Sequence, residues 1–274
     1  MDLTEHKEVS QGHPTLSFTE AELQKGQEQL LKMGLKKDSW FICIHSREPE
    51  YLEKRYGDKE KFSYHNYRDC KIENYLSAAK YITDLGGYVI RMGELVDKPL
   101  LVNNPQIIDY ATKYRSDFMD IFLAAKCKFF LGNTSGLFLV STMFDTPTAA
   151  ANFIPSPHTP WNHKDLFIPK PIKDKAKQRL LKFNEARELG MFDLFSGKYD
   201  LEKYDIIENS ANEILGLCKE MNERIDSSIY NLSENQLKYQ EDVMGKTKKY
   251  AKSRKFSAPI AKCFIDEEYA ELLD

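Results

Sequence analysis

RSDFMDIFLAAKCKFFLGNTSGLFLVSTMFDTPTAAANFIP, residues 115–155, sets the fold class. Residues 117–125 place apolar side chains on one face and read as a helix. KFFL at 128–131 is a short apolar run of the kind a doubly covered strand carries. Gly132 interrupts it. Asn133, Thr134, Ser135 and Gly136 form a turn of small polar and glycine residues. Residues 137–144 then read as an apolar helix and 148–153 as another strand. Strand–turn–helix–strand in 26 residues, repeated along the chain, predicts an α/β protein whose mostly parallel sheet is covered by helices.

Upstream, the same alternation repeats. Thr19 and Glu22 form a capping box, each satisfying an orphan N–H of a first helix. Trp40-Phe41-Ile42-Cys43-Ile44 is a buried strand that ends in His45-Ser46-Arg47-Glu48. Residues 49–70 are polar and aromatic without a period and read as a long loop, a type that is often functional. A helix is predicted over 72–85, stopped by Gly86-Gly87. A strand is predicted over 88–90, running into Arg91, and a further one over 107–110. Downstream, 154–170 carries four prolines and reads as an ordered loop. Residues 175–189 read as helical, 204–207 as a strand, and Ser210 with Glu213 as a second capping box. Residues 233–255 read as a polar helix with a basic run at 246–255. The expected organisation is a tail at 1–16, a nucleotide-binding-type domain at 17–230, and a helical, charged extension at 231–274.

Composition narrows the function. The chain has 274 residues, 42% hydrophobic and 30% charged, enough for a large core. A net charge of −3 gives no basic excess for nucleic acid. No apolar run has the length of a membrane span. Five cysteines, never in a Cys-x-x-Cys pair, favour a reducing compartment and argue against a structural zinc site. The expected location is cytoplasmic, with peripheral membrane contact through the basic run as an alternative to a solvated helix face.

Parallel strands joined by right-handed crossovers end on one edge of the sheet, where ligands of open α/β sheets bind. His45, Arg47, Arg91 and the Asn133–Gly136 turn therefore gather there. Helix N-termini attract anions through unpaired N–H groups and the helix dipole, so this turn is either a phosphate site or simply an N-capped helix start. Arg47 is either a bidentate phosphate ligand or half of a surface pair with Glu48. Arg91 facing the same crevice would complete a metal-free pyrophosphate site. Asp117 reads as a helix cap, and Asp120, one turn on, as a group facing the crevice or solvent. His158 and His163 lack a third ligand of matching spacing, and Trp161 packs the loop or stacks on a ligand.

These stretches, with WFICIHSREPEY (40–51), HNYRDCKIENYLSAAKYITDLGGYVIRMGE (65–94) and KDLFIPK (164–170), resemble a bacterial family ascribed glycosyltransferase activity, with a Rossmann-like, GT-B-type nucleotide-sugar domain. The likeness covers about residues 15–225. A more distant one is to α-1,6- and protein O-fucosyltransferases. There a His-x-Arg strand end and a Ser turn meet the donor diphosphate, and a helix Asp meets the base. The resemblance implies that Arg47 and Ser135 hold a diphosphate with His45 beside it, and that Asp120 reads the base. The residues themselves add Arg91 as a second cation on the diphosphate, Gly136 and the Asn133-Thr134 turn at the helix start, Asp117 near Asp120, and His45, Glu48 and Asp69 as candidate bases. Asn-Thr-Ser-Gly in place of Phe-Ser-Ser, and Glu48 in place of an arginine, are departures. The implied activity is metal-independent transfer from a nucleotide diphosphate sugar to a glycan or lipid-linked acceptor, without cofactor. The resembling proteins carry a further N-terminal domain, so a partner chain or homodimer is implied to supply the acceptor half. A non-catalytic donor-binding subunit and a nucleotide-sugar isomerase are the alternatives.

Overall fold

The computed structural model describes residues 16–48, 57, 63–154, 162–191, 199–246 and 258–273. Among them, six parallel strands form the main sheet: β1 (Phe41–His45), β2 (Tyr88–Arg91), β3 (Ile107–Ile108), β4 (Phe130–Gly132), β5 (Thr148–Phe153) and β6 (Leu166–Pro169). Their order is β3-β2-β1-β4-β5-β6. Every neighbouring pair is parallel, with Cys43 beside both Ile90 and Phe130 at the centre. Ile42, Ile44, Val89, Phe130 and Leu131 are fully buried, which is why the central strands read as unbroken apolar runs.

The helices are α1 (Glu20–Lys32), α2 (Leu76–Asp84), α3 (Tyr110–Lys113), α4 (Asp117–Lys126), α5 (Gly136–Met143), α6 (Phe183–Glu188), α7 (Ala211–Ser227) and α8 (Glu234–Lys238). α4 packs with α5 and α1, while α2 packs with α7, which also lies on β5 and β6. Right-handed crossovers moving in opposite directions from β1 put these two groups on opposite faces. Gly26 allows α1 to meet α4 closely, because a Cβ there would lie 2.1 Å from the Phe122 ring. Both predicted capping boxes form, Thr19 with Glu22 and Ser210 with Glu213. The two helices they start each expose a polar face and bury an apolar one.

Four sequence expectations are corrected. The Pro-rich 154–170 segment contains β6, which pairs with β5. The helix expected over 175–189 is a hairpin, β7 (Ile172–Asp174) and β8 (Arg179–Leu180), followed by the short α6. The Asp174 carboxylate accepts from the N–H groups of Ala176 and Lys177, and Gln178 has a left-handed φ of 53°. That local turn competes successfully with helix propensity. β7 also pairs antiparallel with β9 (Tyr204–Ile206). The strand predicted over 107–110 ends at Ile108, since Tyr110 opens α3. The helix predicted over 233–255 shortens to α8 and a wider turn at Tyr239–Met244. Most of the basic run lies outside the described residues, as do residues 1–15.

The described residues of 231–274 pack into the body of the protein. Tyr239, Val243, Ile260, Phe264 and Ile265 belong to the common core. Phe167 N–H donates to Pro259 (3.3 Å) and Ala261 N–H to Phe167 (2.8 Å), so this backbone covers the outer edge of β6. That covering removes an exposed sheet edge. Among the described residues no helix is long and apolar enough to cross a membrane.

Candidate functional site

The strand order reverses between β1 and β4. In a sheet of this order a crevice opens there, outside the C-terminal ends of the strands, because the two flanking connections leave in opposite directions. The residues around it leave β1 and β4. Gly132 lies opposite His45, and a Cβ on it would come within 2.9 Å of the His45 carbonyl oxygen. Glycine thus lets the two strand ends approach.

Asn133 ties these exits together. It is 1% exposed. Its Oδ1 accepts from Arg47 N–H at 2.9 Å and its Nδ2 donates to the Arg68 carbonyl at 2.9 Å. Asn133 is thus a clamp whose polar atoms are engaged within the protein. Ser135 caps α5, accepting from Phe138 N–H at 3.4 Å. Gly136 is the first helical residue, and a Cβ built on it meets nothing within 4 Å. The helix therefore begins beside open space, with its first N–H groups outside the intrahelical pattern.

The Arg47 guanidinium, mostly buried, pairs with the Asp69 carboxylate. His45 donates from Nδ1 to the Met92 carbonyl at 3.3 Å. A carbonyl can only accept, so Nδ1 carries the proton and Nε2 keeps a lone pair. Burial pushes the His45 pKa down, more than the Met92 bond and nearby Glu48 raise it. The imidazole is thus held in its neutral form.

Two cations not singled out from the sequence join this cluster. Half-buried Arg68 donates from Nη2 to the Thr134 carbonyl at 3.1 Å. Its pKa is lowered by burial first and by Arg47 second, so the two guanidiniums stand close enough to repel. Lys170 follows β6 and is 3% exposed. Its ammonium donates to the carbonyls of Tyr67 (3.0 Å) and Asp69 (2.6 Å), and burial lowers its pKa. The available signals were a charged Arg-Asp pair inside a long loop and a lysine between two prolines at a strand end.

Other predicted residues sit elsewhere. Arg91 does end β2, but it is 1% exposed and points into protein. Its Nη2 meets Glu48 at 2.9 Å, and its Nη1 meets Asp109 at 3.2 Å and the Lys98 carbonyl at 2.9 Å. Two carboxylates facing it from neighbouring segments neutralise it, so it offers the crevice no guanidinium of the kind expected. Glu48 is spent in the same network, accepting also from Ser46 Oγ (3.1 Å) and Asp97 N–H (2.7 Å). It does not present itself as a base. The cap of α4 is Ser116, accepting from Met119 N–H, while Asp117 is one residue inside and 95% exposed. Asp120 is bonded by Tyr110 Oη on one oxygen (2.8 Å) and Arg115 Nη2 on the other (2.9 Å). Burial still pushes its pKa up. It stands at the start of α4 on the correct edge, held by partners of its own.

His158 and Trp161 lie outside the described residues. His163 is exposed and packs edge-on to Tyr230. Among the described residues no group of three or more His, Cys, Asp or Glu is placed to hold a metal ion. No protein-family model, curated protein or solved structure gives a significant match to this chain.

Proposed function

We propose that the chain binds a nucleotide diphosphate sugar at the β1/β4 switch point and acts as a metal-independent glycosyltransferase. The observation that carries this reading is the joining there of Arg47, through its N–H bond to Asn133 Oδ1, to the turn that starts α5, where the space over Gly136 is open. A diphosphate seated on the first N–H groups of α5 would accept from them and from Arg47. Both interactions favour negative charge, and both strengthen as charge develops on the leaving diphosphate.

In the transfer, the bond between the sugar's anomeric carbon and the diphosphate oxygen breaks, and its electron pair leaves with the diphosphate. The acceptor hydroxyl oxygen bonds that carbon and gives up its proton. His45 is the group suited to take it: neutral, at the strand end, with the Nε2 lone pair unused by the Met92 bond. Glu48 and Asp69 are committed to Arg91 and Arg47.

The test is a calorimetric panel of nucleoside diphosphates and their sugars, with and without chelator. One base should bind best, and chelator should leave both affinity and transfer unchanged. Failure to bind any diphosphate, or binding and transfer restored only by Mn²⁺ or Mg²⁺, overturns the proposal.

A further inference from the structure

Residues 67–70 form a strap bonded to the residues that follow β1, β4 and β6. Cys70 N–H donates to the Arg47 carbonyl at 3.1 Å, which joins the strap to the end of β1. The next three carbonyls back along the chain each take a side-chain donor. Lys170 Nζ bonds those of Asp69 (2.6 Å) and Tyr67 (3.0 Å), and Asn133 Nδ2 bonds that of Arg68 between them (2.9 Å). The Tyr67 ring is further seated edge-on against Tyr199 at 5.1 Å. The strap thus depends on the exits of β4 and β6 for its path, and on one ammonium for two of its carbonyls.

We propose that Lys170 is a positioning residue that seats this strap so that Arg68 reaches over the start of α5 and joins Arg47 on a bound diphosphate. The inference rests on the nucleotide-diphosphate reading above and assigns the second guanidinium of that site to Arg68 rather than Arg91. Two features carry it. First, a buried ammonium is strongly penalised by desolvation unless well bonded, and methionine would fill the same volume without that cost. An ammonium is needed here because two strap carbonyls must be gathered from one point. Second, Arg68 is aimed at the Thr134 carbonyl, next to the Ser135 cap, and Asn133 joins its backbone to that of Arg47. Like charges held together oppose each other until an anion bridges them. Asp69 lies among them and pairs with Arg47. In the liganded state the diphosphate would take over part of that role.

The probe is inorganic pyrophosphate, which has neither base nor sugar, titrated calorimetrically into the wild-type chain and into R68A, K170M and R68A/K170M. R68A and K170M should each weaken binding at least tenfold. The double variant should lose no more than R68A alone, because Lys170 acts through Arg68. Additive losses would make Lys170 merely structural and overturn the inference. So would wild-type affinity in either single variant. If K170M fails to fold, K170A takes its place in the same cycle: a loss that vanishes in the R68A background upholds the inference, and wild-type affinity in K170A or in R68A overturns it. Wild-type protein that ignores pyrophosphate defeats the diphosphate reading itself. Binding that is lost in R47A but kept in R68A defeats only the inference.

Discussion

Replacing Arg47 with alanine should weaken nucleoside diphosphate binding while sparing nucleoside binding. The backbone at this position does not depend on the side chain. Asn133 Oδ1 accepts from Arg47 N–H at 2.9 Å, and Cys70 N–H bonds the Arg47 carbonyl at 3.1 Å, so the loop keeps its path. The guanidinium is 14% exposed and pairs with Asp69, which is 12% exposed. A charge-assisted hydrogen bond in such surroundings contributes about 1.5–3 kcal/mol. That corresponds to a rise in Kd of roughly 10- to 150-fold. The variant also removes the guanidinium that offsets the Asp69 carboxylate, whose negative charge then stands beside the diphosphate. Adding Asp69→Asn should therefore recover part of the loss, which simple deletion of a contact would not predict. Unfolding stability should fall by about 1–3 kcal/mol, less than for a fully buried pair because some solvent reaches this one. Calorimetry with matched nucleosides and nucleoside diphosphates, together with urea denaturation, reads all three quantities. An equal loss for nucleoside and diphosphate, or no recovery in the double variant, would refute the reasoning.

Gly136→Val should abolish diphosphate binding with little change in melting temperature. A Cβ at this position meets nothing within 4 Å, so the new side chain starts in open space over α5; intact affinity in the folded variant would move the ligand elsewhere. Arg91→Met should cost about 3–5 kcal/mol in denaturation, because it strands two buried carboxylates, yet leave the preference for diphosphate over nucleoside intact in the folded fraction. His45→Gln should lower the transfer rate by roughly 10²–10⁴ with donor affinity unchanged, and a rate within a factor of a few of wild type would exclude His45 as the base. Burial pushes the Asp165 pKa up to about 7, although the N–H groups of Thr148 (2.7 Å) and Asn162 (3.1 Å) bond the carboxylate. The folded chain therefore holds this proton over a range in which the unfolded chain has lost it. Its contribution to stability falls as pH rises from about 4 to about 7 and is flat beyond. Denaturation at pH 5 and pH 8 should show a larger loss for wild type than for Asp165→Asn, whose amide oxygen can still accept from Thr148. Parallel pH dependence in the two would refute it.

Sequence alone determined the layered α/β class and the central strands. Ile42, Cys43, Ile44, Phe130 and Leu131 are apolar because both faces of those strands are covered, and such a run records its own burial. The capping boxes at Thr19 and Ser210 were legible because their bonds span only three residues. Gly132 was legible as a strand stop, and Ser135-Gly136 as a helix start. Tertiary structure alone decided which charges face the crevice. Arg91 and Arg47 both follow strands, and periodicity reports the side on which a residue leaves a strand, not what stands opposite. Arg91 is neutralised by Asp109, 18 positions away, and by Glu48, 43 away. Lys170 reaches carbonyls more than 100 positions back, and Arg68 meets Thr134 66 positions on. β6 exists within a proline-rich segment because β5 and the 259–261 backbone supply its hydrogen bonds from outside. The predicted helix over 175–189 gave way where the Asp174 side chain bonded the backbone first. Local patterns encode burial and caps because their energies are local, while the pairing of a buried charge depends on groups that only the folded chain brings together.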